Sequence, residues 1–256
     1  MINFGLKNKK VLIFGGSKGI GERVAYDFVA QGANVTLVAR SKKKLKIIKK
    51  NLDKIKSGNN IFPVNLIPIG KPTTTIKKIF KKIGIHEIVI HCIGGGLGVQ
   101  NPPKNYLEWE KVWRFNCGIA MEANQEILKY LNKNKYGRLI HISSYAGQLA
   151  KPKHNKIAYS ASKSYLNSYI QNMSKLYGHK NIIFNGVMPG PMLTKGKYWE
   201  KTLKKNPEKT KKYLTENFSI KRFAELNEIS PFILALASKF SSYSSGSIID
   251  LSGGEI

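Results

Sequence analysis

Acidic residues are scarce in this chain. Only 15 Asp and Glu stand against 43 Lys and Arg, giving a formal charge of +28 over 256 residues. Cysteine is nearly absent: Cys92 and Cys117 are the only two, without C-x-x-C spacing, which leaves no sign of a disulfide framework and fits a reducing compartment. No apolar run approaches the roughly eighteen residues of a membrane span. The opening residues lack the apolar stretch and small-residue cleavage site of a secretion signal. The expectation is a cytoplasmic protein with no membrane partner. His86, His91, His141, His154 and His179 have no metal-ligand spacing, so no metal is expected.

The excess of cations invites a nucleic-acid reading, because lysines that neutralise phosphates release counterions. The composition argues against it. The charge is almost all Lys, scattered over residues 7 to 10, 42 to 44, 77 to 82 and 195 to 212, with no zinc-finger spacing or aromatic RNA-binding pattern. Solvated helix faces account for it, and no specific nucleic-acid partner is expected.

A hydrophobic content of 42% supports one sizeable core, so residues 1 to 256 read as a single domain. Short apolar runs predict strands at Val11 to Phe14, 34 to 40, Ile61 to Val64, 87 to 91, 138 to 142, 181 to 187 and 247 to 251. Helical periodicity fills the gaps, at 22 to 31, Lys42 to Lys56 with Leu45, Ile48, Leu52 and Ile55 inward, 73 to 83, 106 to 134, 158 to 177 and near 227 to 238. Seven strands alternating with helices give an α/β, doubly wound Rossmann fold with a seven-stranded parallel sheet, since parallel neighbours require crossovers. The rhythm breaks once. Residues 188 to 226 form a long, Lys-rich, helix-prone insertion after strand six, where such sheets place substrate-binding elements.

Gly15, Gly19 and Gly21 lie between the first strand and first helix, with Ser17 and Lys18 among them. Glycines there allow a tight turn and let backbone N–H groups approach a pyrophosphate. The stretch A-Y-S-A-S-K at 158 to 163 places Tyr159 and Lys163 four apart, on one helix face. With 12 Tyr in a lysine-rich chain, roughly two such matches are expected by chance, so the pair alone decides nothing.

The surroundings decide more. The G-x-x-x-G-x-G turn, Arg40 at the end of strand two, the turn at Cys92 to Gly95, Asn116, Ser144, Tyr159 with Lys163, and P-G-P-M-L-T at 189 to 194 occur in one order. This order resembles the classical short-chain dehydrogenase/reductase family, along nearly the whole chain. In detail the chain looks like 3-oxoacyl-(acyl carrier protein) reductases and, through G-G-G-L-G, W-R-F-N and G-K-Y-W, like members from surface-polysaccharide pathways.

The resemblance implies catalytic roles for Asn116, Ser144, Tyr159 and Lys163. Tyr159 would donate the proton, Lys163 would stabilise the phenolate and bind the nicotinamide ribose, Ser144 would bond the substrate oxygen, and Asn116 would hold a relay water. It implies cofactor contacts by Gly15, Ser17, Lys18, Gly19, Ile20, Gly21, Arg40, Ser41, Asn65, Gly94, Pro189, Gly190 and Thr194, besides Tyr159 and Lys163. An acidic residue after strand two would bond a ribose 2′-OH; Arg40 and Ser41, with Lys18, favour a 2′-phosphate and hence NADP(H). Phe14 in a usual Thr position, Cys92 for Asn, Asn65 for Asp, and a long Ser144 to Tyr159 interval depart from the family pattern. That interval is expected to bulge beside the substrate pocket.

The expected activity is NADPH-dependent reduction of a carbonyl to a hydroxyl. The small-molecule substrate would be a keto-sugar or a 3-oxoacyl thioester, and the basic segment 195 to 214, read as a mobile lid, suggests an anionic one. The alternative is a non-catalytic NADP-binding sensor or scaffold of the same fold. The resemblance implies a homotetramer or homodimer, which family members commonly form through the helices at 106 to 134 and 158 to 177 and the C-terminal strand.

Overall fold

The computed structural model describes residues 2–99, 102–134, 136–148, 156–196 and 198–255. The strands are β1 (Lys10–Phe14), β2 (Asn34–Ala39), β3 (Asn60–Pro63), β4 (Ile88–His91), β5 (Gly137–Ile142), β6 (Ile182–Pro189) and β7 (Ile248–Leu251). They form one parallel sheet in the order β3-β2-β1-β4-β5-β6-β7. The chain therefore reverses direction across the sheet between β1 and β4. The crevice at their carboxyl ends is where doubly wound sheets receive ligands.

Alternation along each strand builds two cores. In β1, Val11 and Ile13 face the helices α1 (Gly19–Ala30) and α9 (Leu226–Ala237), packing with Val24, Phe28, Ile229 and Ile233. Leu12 and Phe14 face the other way, towards α3 (Lys71–Ile83), α5 (Ile119–Asn134) and α6 (Ile157–Tyr177), with Ile76, Ile127, Leu131 and Ile170. Both sheet faces are thus covered, which is why the strands read as continuous apolar runs rather than alternating ones.

Several sequence expectations are refined. Helix α2 (Lys42–Ile55) buries Leu45, Ile48 and Leu52 as expected, but Ile55, the last residue of the helix, is 53% exposed. The first helix begins earlier than Glu22, at Gly19 inside the glycine turn. The stretch 106 to 134 is not one regular helix. It divides into α4 (Tyr106–Trp113), a π-type turn at Arg114–Gly118, and α5. The insertion carries α7 (Tyr198–Lys205) and α8 (Pro207–Asn217), the latter starting on a proline whose missing N–H would be unpaired there anyway. Among the described residues no helix is long and apolar enough to cross a membrane, and no cluster of three or more His, Cys, Asp or Glu could hold a metal ion.

Candidate active site

The glycine turn is built on steric necessity. Gly15 (φ +82°) and Gly19 (φ +59°) adopt left-handed conformations. A Cβ on Gly21 would lie 2.6 Å from the Gly15 carbonyl oxygen, so only glycine lets α1 pack this close to the end of β1. Cys92 forms the floor: a Cβ on Gly15 would sit 3.0 Å from the Cys92 carbonyl carbon. Cys92, standing where the family pattern has Asn, is half-buried under the turn with its Cβ 3.2 Å from a Cβ built on Gly21, and burial pushes its thiol pKa up to about 12. Ile20 points into the core under α1, leaving its backbone N–H at the helix start. Thr194 closes the turn from the insertion side, its methyl 3.1 Å from a Cβ built on Gly19. Pro189 and Gly190 end β6, and Gly190 must be glycine because a Cβ would fall 2.1 Å from the Ser252 carbonyl oxygen.

At the outer end of this crevice the cations converge. Lys18, the residue before α1, has its pKa lowered by burial and by Lys44, Arg40 and Lys201. Arg40 is exposed at the end of β2, and Ser41 caps α2 by accepting from the Lys44 N–H at 3.4 Å. Such a cluster of like charges is costly unless an anion neutralises it. Lys44 and Lys201 were not singled out from sequence, because runs of lysine conceal which members lie near Lys18. Asn65 lies exposed after β3 and turns its side chain onto the Ile67 N–H at 3.3 Å.

The inner end holds the reactive side chains. Asn116 sits in the π-type turn, where the extra residue per turn swings it under the loop after β4. Its Nδ2 donates to the carbonyls of Gly95 at 3.0 Å and Val112 at 2.8 Å, and its Oδ1 accepts from the Gly95 N–H at 2.9 Å. An ion pair from Arg114 to Glu122 at 2.7 Å braces the turn, and Arg114 Nε also donates to the Ile67 carbonyl at 2.9 Å. Lys163, one turn after Tyr159 on α6, is 2% exposed, and its Nζ donates to the Ile142 carbonyl at 2.7 Å. A Cβ on Gly94 would lie 2.8 Å from Asn116 Oδ1 and 3.1 Å from Lys163 Nζ, which fixes glycine at that position and shows how tightly the two side chains converge.

Ser144 caps a short 3-10 turn, accepting from the Ala146 N–H at 3.3 Å, and shares a hydrogen bond with Tyr159. Burial raises the Tyr159 pKa, opposed by Ser144. The sequence argument expected Lys163 to lower it. The difference is geometric: Lys163 Nζ stands 5.8 Å from the Tyr159 ring centroid and is committed to the Ile142 carbonyl. Burial pushes Lys163 itself down to about 8. The phenol is therefore held protonated, ready to donate.

Three features escaped the sequence reading. Phe14, His91, His141 and Phe184 stack face to face across four adjacent strands, with centroid separations of 4.9, 4.7 and 5.9 Å, which gives Phe14 its role in place of Thr. Beneath the insertion, Tyr145, Tyr213, Phe218, Phe223 and Trp199 form an aromatic cluster, with Tyr145 and Tyr213 sharing a hydrogen bond. Lys156, three residues before Tyr159, places its ammonium on the Tyr198 ring. His154, and residues 149 to 155 of the Ser144 to Tyr159 interval expected to bulge, lie outside the described residues.

A parallel sheet reversing at β1 and β4, a glycine turn against that crevice, and Ser, Tyr, Lys and Asn converging beside it define a dinucleotide-dependent oxidoreductase. The model of the short chain dehydrogenase family matches residues 9–204, and the chain belongs to that family. It is 25% identical over 249 residues to a 3-oxoacyl-[acyl-carrier-protein] reductase of Thermotoga maritima, covering 97% of this chain and 98% of the relative. It is 28% identical over 253 residues to a glucose 1-dehydrogenase of Gluconobacter oxydans, covering 96% and 91%. Among solved structures, it is similar to L-sorbose reductase from Gluconobacter frateurii complexed with NADPH and L-sorbose, with a TM-score of 0.89, 25% identity and coverage of 99% and 98%.

Proposed function

We propose that this protein is an NADPH-dependent carbonyl reductase whose chemistry is carried by Ser144, Tyr159, Lys163 and Asn116. The observation that carries the reading is the convergence of Asn116 and Lys163 on Gly94, beside a Tyr159 that shares a hydrogen bond with Ser144. The glycine turn fits a dinucleotide's pyrophosphate, for Gly15, Gly19 and Gly21 add no side chain of their own where the backbone N–H groups begin α1. Lys18, Arg40 and Lys44 fit a 2′-phosphate, whose two negative charges would relieve their mutual repulsion. NADPH is bound in the L-sorbose reductase complex, and NADP in a 3-oxoacyl (acyl-carrier-protein) reductase of Agrobacterium tumefaciens to which the chain is also similar.

When bound, the reduced nicotinamide supplies the hydride for the carbonyl carbon. Ser144 Oγ and Tyr159 Oη bond the carbonyl oxygen, and Tyr159 gives it a proton, so that ketone becomes alcohol with hydride and proton both accounted for. The phenolate left behind draws a proton from Lys163, whose pKa of about 8 suits transfer near neutral pH. Asn116 keeps the Gly94 and Gly95 backbone in place over Lys163 Nζ. The substrate class is a keto-sugar or a 3-oxoacyl thioester. Assembly as a homodimer or homotetramer belongs to the same reading, through the outer groove of α5 and α6 lined by Met121, Leu128, Tyr169 and Met173.

NADPH oxidation followed by absorbance, with acetoacetyl thioesters and a series of keto-sugars, tests this reading. Turnover of either class with NADPH, and at least about tenfold less with NADH, is expected. Tight NADPH binding without turnover of any carbonyl would favour a sensor instead.

A further inference from the structure

Lys156 occupies the residue before α6, and its stem crosses the glycine loop after β4, with Cδ 3.9 Å from a Cβ built on Gly96. It shares a small cavity with Tyr159, and the other walls, including Gly96, Val99 and Val112, carry no charge. Its Nζ rests 3.1 Å from the centroid of the Tyr198 ring, at the start of α7.

An ammonium has three donors, and a ring face engages one side of it. Among the described residues no carboxylate pairs with Lys156. Burial pushes its pKa down to about 8, the mark of a cation short of partners. The positive end of the 21-residue α6 lies beside it and adds a field of the same sign. Tyr198 is 50% exposed.

We infer that Lys156 selects substrates that carry an anionic oxygen group, a carboxylate or phosphate ester, binding that group in the place now taken by the Tyr198 ring. The inference rests on the reductase reading and assigns its substrate pocket a charge preference. It also separates one functional cation from the many lysines on solvated faces of the insertion.

A matched pair of keto-sugars tests it. 5-Keto-D-gluconate differs from L-sorbose only by a carboxylate in place of a terminal hydroxymethyl group. Each is titrated into NADP⁺-loaded protein, following the fluorescence of Trp199, whose ring lies 5.1 Å from Tyr198, and each is then assayed for NADPH oxidation. The expected result is a preference of at least about tenfold for the carboxylate in the wild type. Lys156→Met should bring the ratio of the two affinities to within about twofold, and Lys156→Arg should retain the preference, showing that charge and not folding is responsible.

Equal affinities in the wild type, including no detectable binding of either sugar, would overturn the inference. So would Lys156→Met weakening both sugars alike, which would make the Tyr198 contact only a latch for α7. Lys156-dependent anion binding without NADPH oxidation by either sugar or by acetoacetyl thioesters would keep this inference and sink the reductase reading. Reduction of both sugars without discrimination would do the reverse.

Discussion

Asn116 grips Gly95 by both ends of its amide, donating to the Gly95 carbonyl at 3.0 Å and accepting from its N–H at 2.9 Å. One side chain thus stands in for a strand partner and holds the loop after β4 rigid above Lys163. Asn116→Ala removes the partner of both Gly95 groups, which are half-buried. A loss of about 1–3 kcal/mol in unfolding free energy is expected, measured by urea titration, together with weaker NADPH binding.

Gly21→Ala places a methyl 2.6 Å from the Gly15 carbonyl oxygen, and backbone cannot yield cheaply. The glycine turn must open or α1 must move away from β1. We expect NADPH affinity to fall at least about a hundredfold by fluorescence titration, while circular dichroism still reports the α/β fold. Unchanged affinity would contradict the placement of the pyrophosphate.

Lys163 is buried, which pushes its pKa down to about 8 from the ordinary lysine value of 10.5, so its charge is costly to the folded state at neutral pH. Both folded and unfolded chains carry the proton below pH 8, and both have lost it above the unfolded value. Between them the folded chain releases its proton first, and the penalty, on the order of 3 kcal/mol, fades as pH rises from 8 to 10.5. Lys163→Met should therefore be as stable as the wild type or more so at pH 7, despite losing the bond to Ile142. That advantage should shrink as pH approaches 10, read by denaturant midpoints.

His86 and His91 are buried and neutral, each pushed down to about 4, mainly by burial. The unfolded chain takes up these protons near pH 6.5, whereas the folded chain resists until about pH 4. Their neutral forms favour folding fully above pH 6.5, and stability should be lost as pH falls from 6.5 to 4, on the order of 3 kcal/mol for each. Thermal unfolding at pH 7 and pH 5 checks this. A flat profile would mean the aromatic stack opens to water.

Most of the fold was legible because parallel strands buried on both faces must be apolar runs, and the helices between them must show a 3.6-residue period. The glycine turn was legible for a related reason, since close backbone packing leaves glycine no substitute. What sequence could not show was side-chain direction. The division of 106 to 134 by a π-type turn leaves no local mark, yet it aims Asn116. Lys156, Lys44 and Lys201 are indistinguishable in composition from the other lysines until the fold half-buries Lys156 and sets Lys44 and Lys201 near Lys18. The family order named Tyr159 and Lys163, but only the structure shows that Lys163 is engaged by Ile142 and that burial keeps Tyr159 protonated.

The central claim is that Tyr159 is the proton donor for carbonyl reduction. The most direct measurement compares wild type and Tyr159→Phe in single-turnover NADPH oxidation with a turned-over keto substrate, beside NADPH affinity from fluorescence titration. The account predicts a rate lower by about 10²–10⁴-fold, with affinity for NADPH changed by less than about twofold. A variant that still reduces the substrate at near wild-type rate would contradict it.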